Sequence, residues 1–198
     1  MVVGHFGIAQ FGRLSRRDVP LGWLLVAAYL PDLIRVVLPF VTAEHELLSH
    51  SIPAVLVQSL AIGAVWMLRG GKPGGALVLG AVCALHWPAD VFTGCKPTTF
   101  GGPWIGLLSY RHPVSDLLLE CALLVVGWLL LRRTDRALSR WWLFGGFAVQ
   151  LGFLVSMYWG SEFFIGDREW MWKPETSLRP VPHSRETNVC RPHPNEVP

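Results

Sequence analysis

Long apolar stretches recur along this chain, and no other feature restricts its fold so strongly. A helix crosses the hydrocarbon core of a bilayer in roughly 17–25 predominantly apolar residues. Five such segments can be drawn, over residues 20–41, 52–68, 75–91, 117–131 and 141–158. With 52% hydrophobic residues and a mean hydropathy of +0.39, the chain departs from ordinary soluble composition in the same direction. The expected fold class is therefore all-α, a polytopic integral membrane bundle of about five transmembrane helices.

The basic residues order those helices. Arg13, Arg16 and Arg17 precede the first segment, Arg69 and Lys72 separate the second from the third, and Arg132, Arg133, Arg136 and Arg140 separate the fourth from the fifth. Lys and Arg collect on the cytoplasmic side, so these three places face the cytoplasm, while residues 45–51 and 93–115 face the other side. The first segment is too long and uninterrupted for a cleaved signal and is expected to be retained. Trp159, Phe163, Phe164, Trp170 and Trp172 suit an interfacial belt. The remainder is rich in proline and polar residues, which divides the chain into a membrane domain, 1–173, and a disordered tail, 174–198. Cys83, Cys95, Cys121 and Cys190 form no spaced framework and read as unpaired apolar fillers. A net charge of +3, with its basic residues confined to short loops, argues against nucleic acid as a partner.

Charge at the centre of a membrane helix costs about 2.5–3.5 kcal/mol on insertion scales, so a polar residue persists there when it is paired, wetted or used. His86 and Asp90 are four residues apart and share one helix face, a spacing at which imidazole and carboxylate can take one cation together. Asp32 follows Pro31, which removes a helix hydrogen bond; it can pair with Arg35 or turn inward. His45 and His50 lie in HELLSHS, five residues apart and off a common helix face, before Ser51 as N-cap and Pro53 in the first turn of the next helix. His5 belongs to an apolar segment too short to span. It is either a surface-lying anchor or part of a helix that re-enters the bundle, and the charge pattern puts it on the cytoplasmic side. His112, Asp116 and Glu120 follow one another at helical spacing, and Glu120 is the deepest. Each residue has an ordinary structural reading alone, but together they place most of the buried titratable groups at one depth, which favours a metal site.

In this order the residues resemble the membrane-bound metal-dependent hydrolase family, polytopic inner-membrane proteins of bacteria and archaea with a metal site similar to that of zinc phospholipase C. The resemblance is carried by Gly4-His5, by YLPDL with Asp32, by His45, His50 and Ser51, by His86 and Asp90, and by GGPWIGLL, and it covers about the first two thirds of the chain. It implies His5, Asp32, His50, His86 and Asp90 as metal ligands, with Glu120 and His45 as catalytic or supporting groups. It also implies an inner-membrane location with membrane lipids as neighbours.

Histidine with carboxylate suits a divalent zinc ion, or manganese or iron, better than copper. Such an ion generates a nucleophile from bound water, with Glu120 as the base, and a site at the membrane rim would meet a lipid-like or small-molecule phosphoester. A metal or proton transporter could use the same residues as a relay, and a non-catalytic membrane scaffold would use none of them.

Overall fold

A computed structural model describes residues 4–38, 45–100, 102–107, 113–134, 144, 148, 151 and 152, with the backbone alone at 45, 46, 113–117 and 134. Helix dominates. The elements are α1 (Gly4–Ser15), α2 (Leu21–Val37), α3 (His45–His50), α4 (Ile52–Leu68), α5 (Pro73–Ala84), α6 (His86–Thr93), β1 (Lys96–Pro97), β2 (Trp104–Ile105) and α7 (Pro113–Thr134). The expected fifth segment and the tail lie almost wholly outside the described residues. Among the described residues, one helix, Pro73–Thr93, is long and apolar enough to cross a membrane, and Ile52–Leu68 is a shorter apolar one.

α1 and α2 form a hairpin closed by a basic turn. The Arg13 guanidinium donates to the carbonyls of Arg17 and Val19, and Arg16 grips Asp18 through two hydrogen bonds of 2.8 and 2.7 Å. Those bonds hold the Asp18 carboxyl down at about 2. Because the turn is short, the beginning of α1 is carried back along α2 to the level of Asp32, about 15 Å from the arginines at 1.5 Å per helical residue. Of the two placements left open for His5, the surface anchor and the helix that re-enters the bundle, the structure shows the second: His5 is fully buried.

α4 obeys its local signals. Ser51 caps it by accepting from the Ala54 N–H, and proline occupies the first turn. At its other end Gly70 takes φ +80°, while the Gly70 and Gly71 N–H groups donate to the Met67 and Trp66 carbonyls, the two bonds of a Schellman ending. A Cβ on Gly71 would lie 2.2 Å from Trp66 Nε1, so glycine is needed twice to fold α5 back against α4. This second basic turn meets the first, with Arg69 over the Trp23 ring and Arg16 against Gly74.

α5 and α6 continue one another through Leu85. Pro88 supplies the reason for the interruption: it has no N–H to give the Ala84 carbonyl, so it is accommodated only in the first turn of a new helix, which begins at His86. The core joins Leu24, Ala27 and Ala28 of α2 to Leu79, Val82 and Cys83 of α5 and to Trp128 and Leu131 of α7. Gly7 lets α1 lie directly on α7, since a Cβ there would sit 2.9 Å from the Leu123 carbonyl oxygen. The opposite faces stay apolar: Leu60 is 75% exposed, Leu68 87% and Leu77 75%.

After α6 the chain makes a small hairpin. Lys96 pairs with Ile105 and Pro97 with Trp104 in antiparallel register. It is tied to the helices by Trp87 Nε1 donating to the Pro97 carbonyl at 3.2 Å, the Ile52 N–H to Thr98 at 3.0 Å and the Leu107 N–H to Val91 at 2.8 Å. Gly106 lets this hairpin close, because a Cβ there would stand 1.8 Å from the Gly94 carbonyl oxygen. The unpaired reading of the cysteines holds for Cys83 and Cys121, which are free thiols, and fails for Cys95, which is disulfide-bonded to a partner outside the described residues.

Candidate metal centre

Three elements bring four ligand atoms to one point at the end of the bundle away from the two basic turns. Asp32 comes late in α2, His50 ends α3, and His86 and Asp90 occupy successive turns of α6. One ligand atom from each lies within 4.8 Å of every other. His50 Nε2 is 3.3 Å from Asp32 Oδ1 and 3.4 Å from Asp90 Oδ2. His86 Nε2 is 3.7 Å and 3.3 Å from the same two oxygens. Asp32 turns inward to the histidines.

The remaining imidazole nitrogens explain which face is presented. His86 Nδ1 is 2.8 Å from the Ala28 carbonyl, which can only accept, so Nδ1 carries the proton and Nε2 presents its lone pair. His50 Nδ1 meets Ser49 Oγ at 2.7 Å, and Gln58 Nε2 donates to the Ser49 carbonyl at 2.9 Å, which steadies that turn. With both outer nitrogens engaged, the two Nε2 atoms face each other at 3.2 Å between two carboxylates. His86 Nε2 thus turns a lone pair into this space, and His50 Nε2 does so too in the tautomer whose Nδ1 donates to Ser49, an arrangement that a cation between them would satisfy. Outer partners of this kind orient histidines in metal sites generally.

His5 completes the inner wall. Its ring stacks on His86 with centroids 3.9 Å apart and planes 23° apart, and its Nε2 lies 3.5 Å from Asp90 Oδ1. It is fully buried, yet neither ring nitrogen finds a hydrogen-bond partner among the described residues. A buried imidazole without a partner is costly and rare, and its direction toward Asp90 gives it a use when a cation is present. His5 nevertheless stands outside the mutual group of four.

Glu120 also stands outside that group. It is buried on α7 and close enough to Tyr29 to act on it electrostatically, and Tyr29 in turn packs on His5 with ring centroids 5.8 Å apart. The side chain of His45 lies outside the described residues, so only its place at the start of α3 is fixed. His112 lies outside them altogether, and of Asp116 only the backbone is described, in the first turn of α7.

Lys96, within the 93–115 loop, is the site residue that sequence reasoning passed over. The β1–β2 hairpin presents it at the cluster, 7% exposed, with Nζ 3.2 Å from Asp90 Oδ2. Nothing local in Cys-Lys-Pro signals burial; the position follows from the hairpin being tied down on α6. Asp32 is the most open of the four ligands, its side chain 32% exposed, and therefore marks the mouth. The arrangement can hold a metal ion through two imidazoles and two carboxylates. No family model, curated protein or solved structure matches the chain.

Proposed function

We propose that this chain is a membrane-embedded metal-dependent hydrolase, of the kind its sequence resembles, which uses a zinc-like ion to cleave a phosphoester. The observation that carries the reading is the convergence of Asp32, His50, His86 and Asp90, with the unpartnered His5 beside them. An ion held tetrahedrally at about 2.0–2.1 Å has ligands about 3.3–3.4 Å apart, and the five spacings that involve His50 or His86 run from 3.2 to 3.7 Å. Zinc is the assignment that this spacing and donor set favour, over manganese or iron.

The bilayer setting is supported by the outward apolar faces of α4 and α5 and by the Pro73–Thr93 helix. With the basic turns in the cytoplasm, the site opens on the opposite side, where the disulfide at Cys95 is chemically at home. A lipid-like substrate is the natural choice at that rim.

When bound, the ion would supply an electrophile for a phosphoryl oxygen and, on opening a fifth position, a water that ionises near neutral pH. The protein's part is to hold both histidines neutral with Nε2 inward and to keep the inner wall dry. Asp32, at the open edge, would hold the ion through Oδ1 and leave its second carboxylate oxygen free to take a proton there, while Glu120 stands outside the group of four. Purified protein is expected to hydrolyse bis(4-nitrophenyl) phosphate, to stop on chelation and to resume with zinc. Asp32→Asn is expected to slow turnover by about 100-fold or more, the usual range for loss of a general base. Zinc uptake into proteoliposomes by protein without hydrolytic activity would overturn this reading in favour of transport.

A further inference from the structure

The two basic turns, at the end of the bundle away from the metal centre, meet around an open cleft of about 430 Å³. Trp23 and Trp66 line it as aromatic walls, Arg69 and Lys72 line it as cations, and Asp18 is the one acid among its lining residues. Trp23 stands nine residues before Asp32 on α2, about 14 Å along the helix, so the cleft and the metal cluster are separate.

The walls are held in place. Trp66 Nε1 donates to the Lys72 carbonyl at 3.1 Å, and the Trp66 ring meets Trp23 edge to face with centroids 5.6 Å apart. A Cβ on Gly75 would lie 2.6 Å from Trp66 Nε1, which leaves the indole little room to swing. Gly70, at φ +80°, turns the chain between Arg69 and Lys72, so one tight turn carries both cations.

Charge in the cleft does not cancel. Arg16 takes the Asp18 carboxylate through two hydrogen bonds of 2.8 and 2.7 Å, while Lys72 acts on Asp18 electrostatically without bonding to it. Among the described residues neither Arg69 nor Lys72 is ion-paired. Arg69 lies over the Trp23 ring at 5.7 Å, and a cation–π contact takes none of its N–H donors. A guanidinium can grip two phosphate oxygens at once and an ammonium a third. Immediately before Arg69, Met67 and Leu68 are exposed apolar side chains at the end of α4. A soluble anion would make no use of them, whereas a lipid would lay its chains there and its headgroup among the cations and indoles.

We propose that this cleft binds the phosphate of an anionic phospholipid, held by Arg69 and Lys72 beside Trp23 and Trp66, with the acyl chains along the outer face of α4. The inference rests on the bilayer setting proposed above and is independent of the metal.

The test uses full-length protein in dodecyl maltoside, with zinc content and melting temperature measured for every variant. Bound lipid is counted by native mass spectrometry while phosphatidylglycerol is titrated, with phosphatidylcholine as the neutral comparison and glycerophosphoglycerol as the same headgroup without chains. Wild type is expected to bind phosphatidylglycerol about tenfold or more tightly than phosphatidylcholine, the scale of a charge-assisted hydrogen bond. Arg69→Gln and Lys72→Gln are each expected to remove most of that preference at unchanged zinc content and melting temperature. Arg17→Gln, which removes a charge from the same end but outside the cleft, is expected to keep it. A loss in Arg17→Gln as large as in the other two would overturn the inference in favour of unspecific surface charge. Glycerophosphoglycerol bound as tightly as the lipid would overturn it in favour of a soluble phosphoester. Wild type that fails to fractionate with membranes would overturn the bilayer setting and the inference with it. Zinc-free wild type that still prefers phosphatidylglycerol would overturn the metal reading alone and leave this site standing.

Discussion

Asp90→Asn protein is expected to lose its metal and much of its stability together. Asp90 meets three histidines and Lys96: Oδ2 lies 3.4 Å from His50, 3.3 Å from His86 and 3.2 Å from Lys96, and Oδ1 lies 3.5 Å from His5. Asparagine preserves shape but removes the charge and turns an amide toward groups that need an acceptor. Loss of a merely supporting partner lowers metal affinity about 10- to 100-fold, so loss of this ligand should exceed that range. Lys96 loses the carboxylate that lies 3.2 Å from its Nζ, and breaking a buried pair from one side typically costs about 3–5 kcal/mol. Competition with a chromogenic zinc chelator and thermal unfolding of the same sample measure both effects. An Asp90→Asn protein that competes for zinc as well as wild type would show that Asp90 serves only to neutralise Lys96.

Gly106→Val should be equally damaging for a reason that has no charge in it. The backbone of Gly106 is not in the left-handed region, so conformation does not demand glycine there; space does. The nearest neighbours of an added Cβ would be the Gly94 carbonyl oxygen at 1.8 Å, its carbon at 2.7 Å and Cys95 Cα at 2.9 Å, all backbone and unable to rotate away. The hairpin would have to lift from the end of α6 and carry Lys96 off the cluster. Overpacking of this kind costs about 1–3 kcal/mol where side chains can yield, and the effect here should lie at or above that range. Thermal unfolding together with protease sensitivity between residues 94 and 107 checks it. An unchanged melting temperature for Gly106→Ala, the smallest such change, would contradict the geometry.

The two predictions show what could be seen in the residues beforehand. His86 and Asp90 were legible because a four-residue spacing on a helix fixes their relation before any tertiary contact forms, and their side chains do meet at 3.3 Å. α4 was legible to its ends, since an uninterrupted apolar run bounded by Ser51 with Pro53 and by Arg69-Gly70 leaves the chain little choice. Asp32 and His50 could be named as candidates, but their meeting depends on helix pairing that no spacing encodes. Pro88 was a signal left unused: it interrupts the third segment at Leu85, and α6 opens with His86 pointing at α2. His5 was left between two placements, because charge in the Arg13–Arg17 turn was weighed without the length of the hairpin that the turn closes. Lys96 was invisible, for a lysine in a polar loop carries no mark of the hairpin that buries it.

The central claim is that Asp32, His50, His86 and Asp90 hold a metal ion, and metal content tests it most directly. Detergent-purified wild-type protein, analysed by mass spectrometry beside His86→Ala, is expected to carry about one or more equivalents of zinc that the variant lacks. Metal-free wild type after growth and refolding in zinc, with His86→Ala unchanged in melting temperature, would contradict the account.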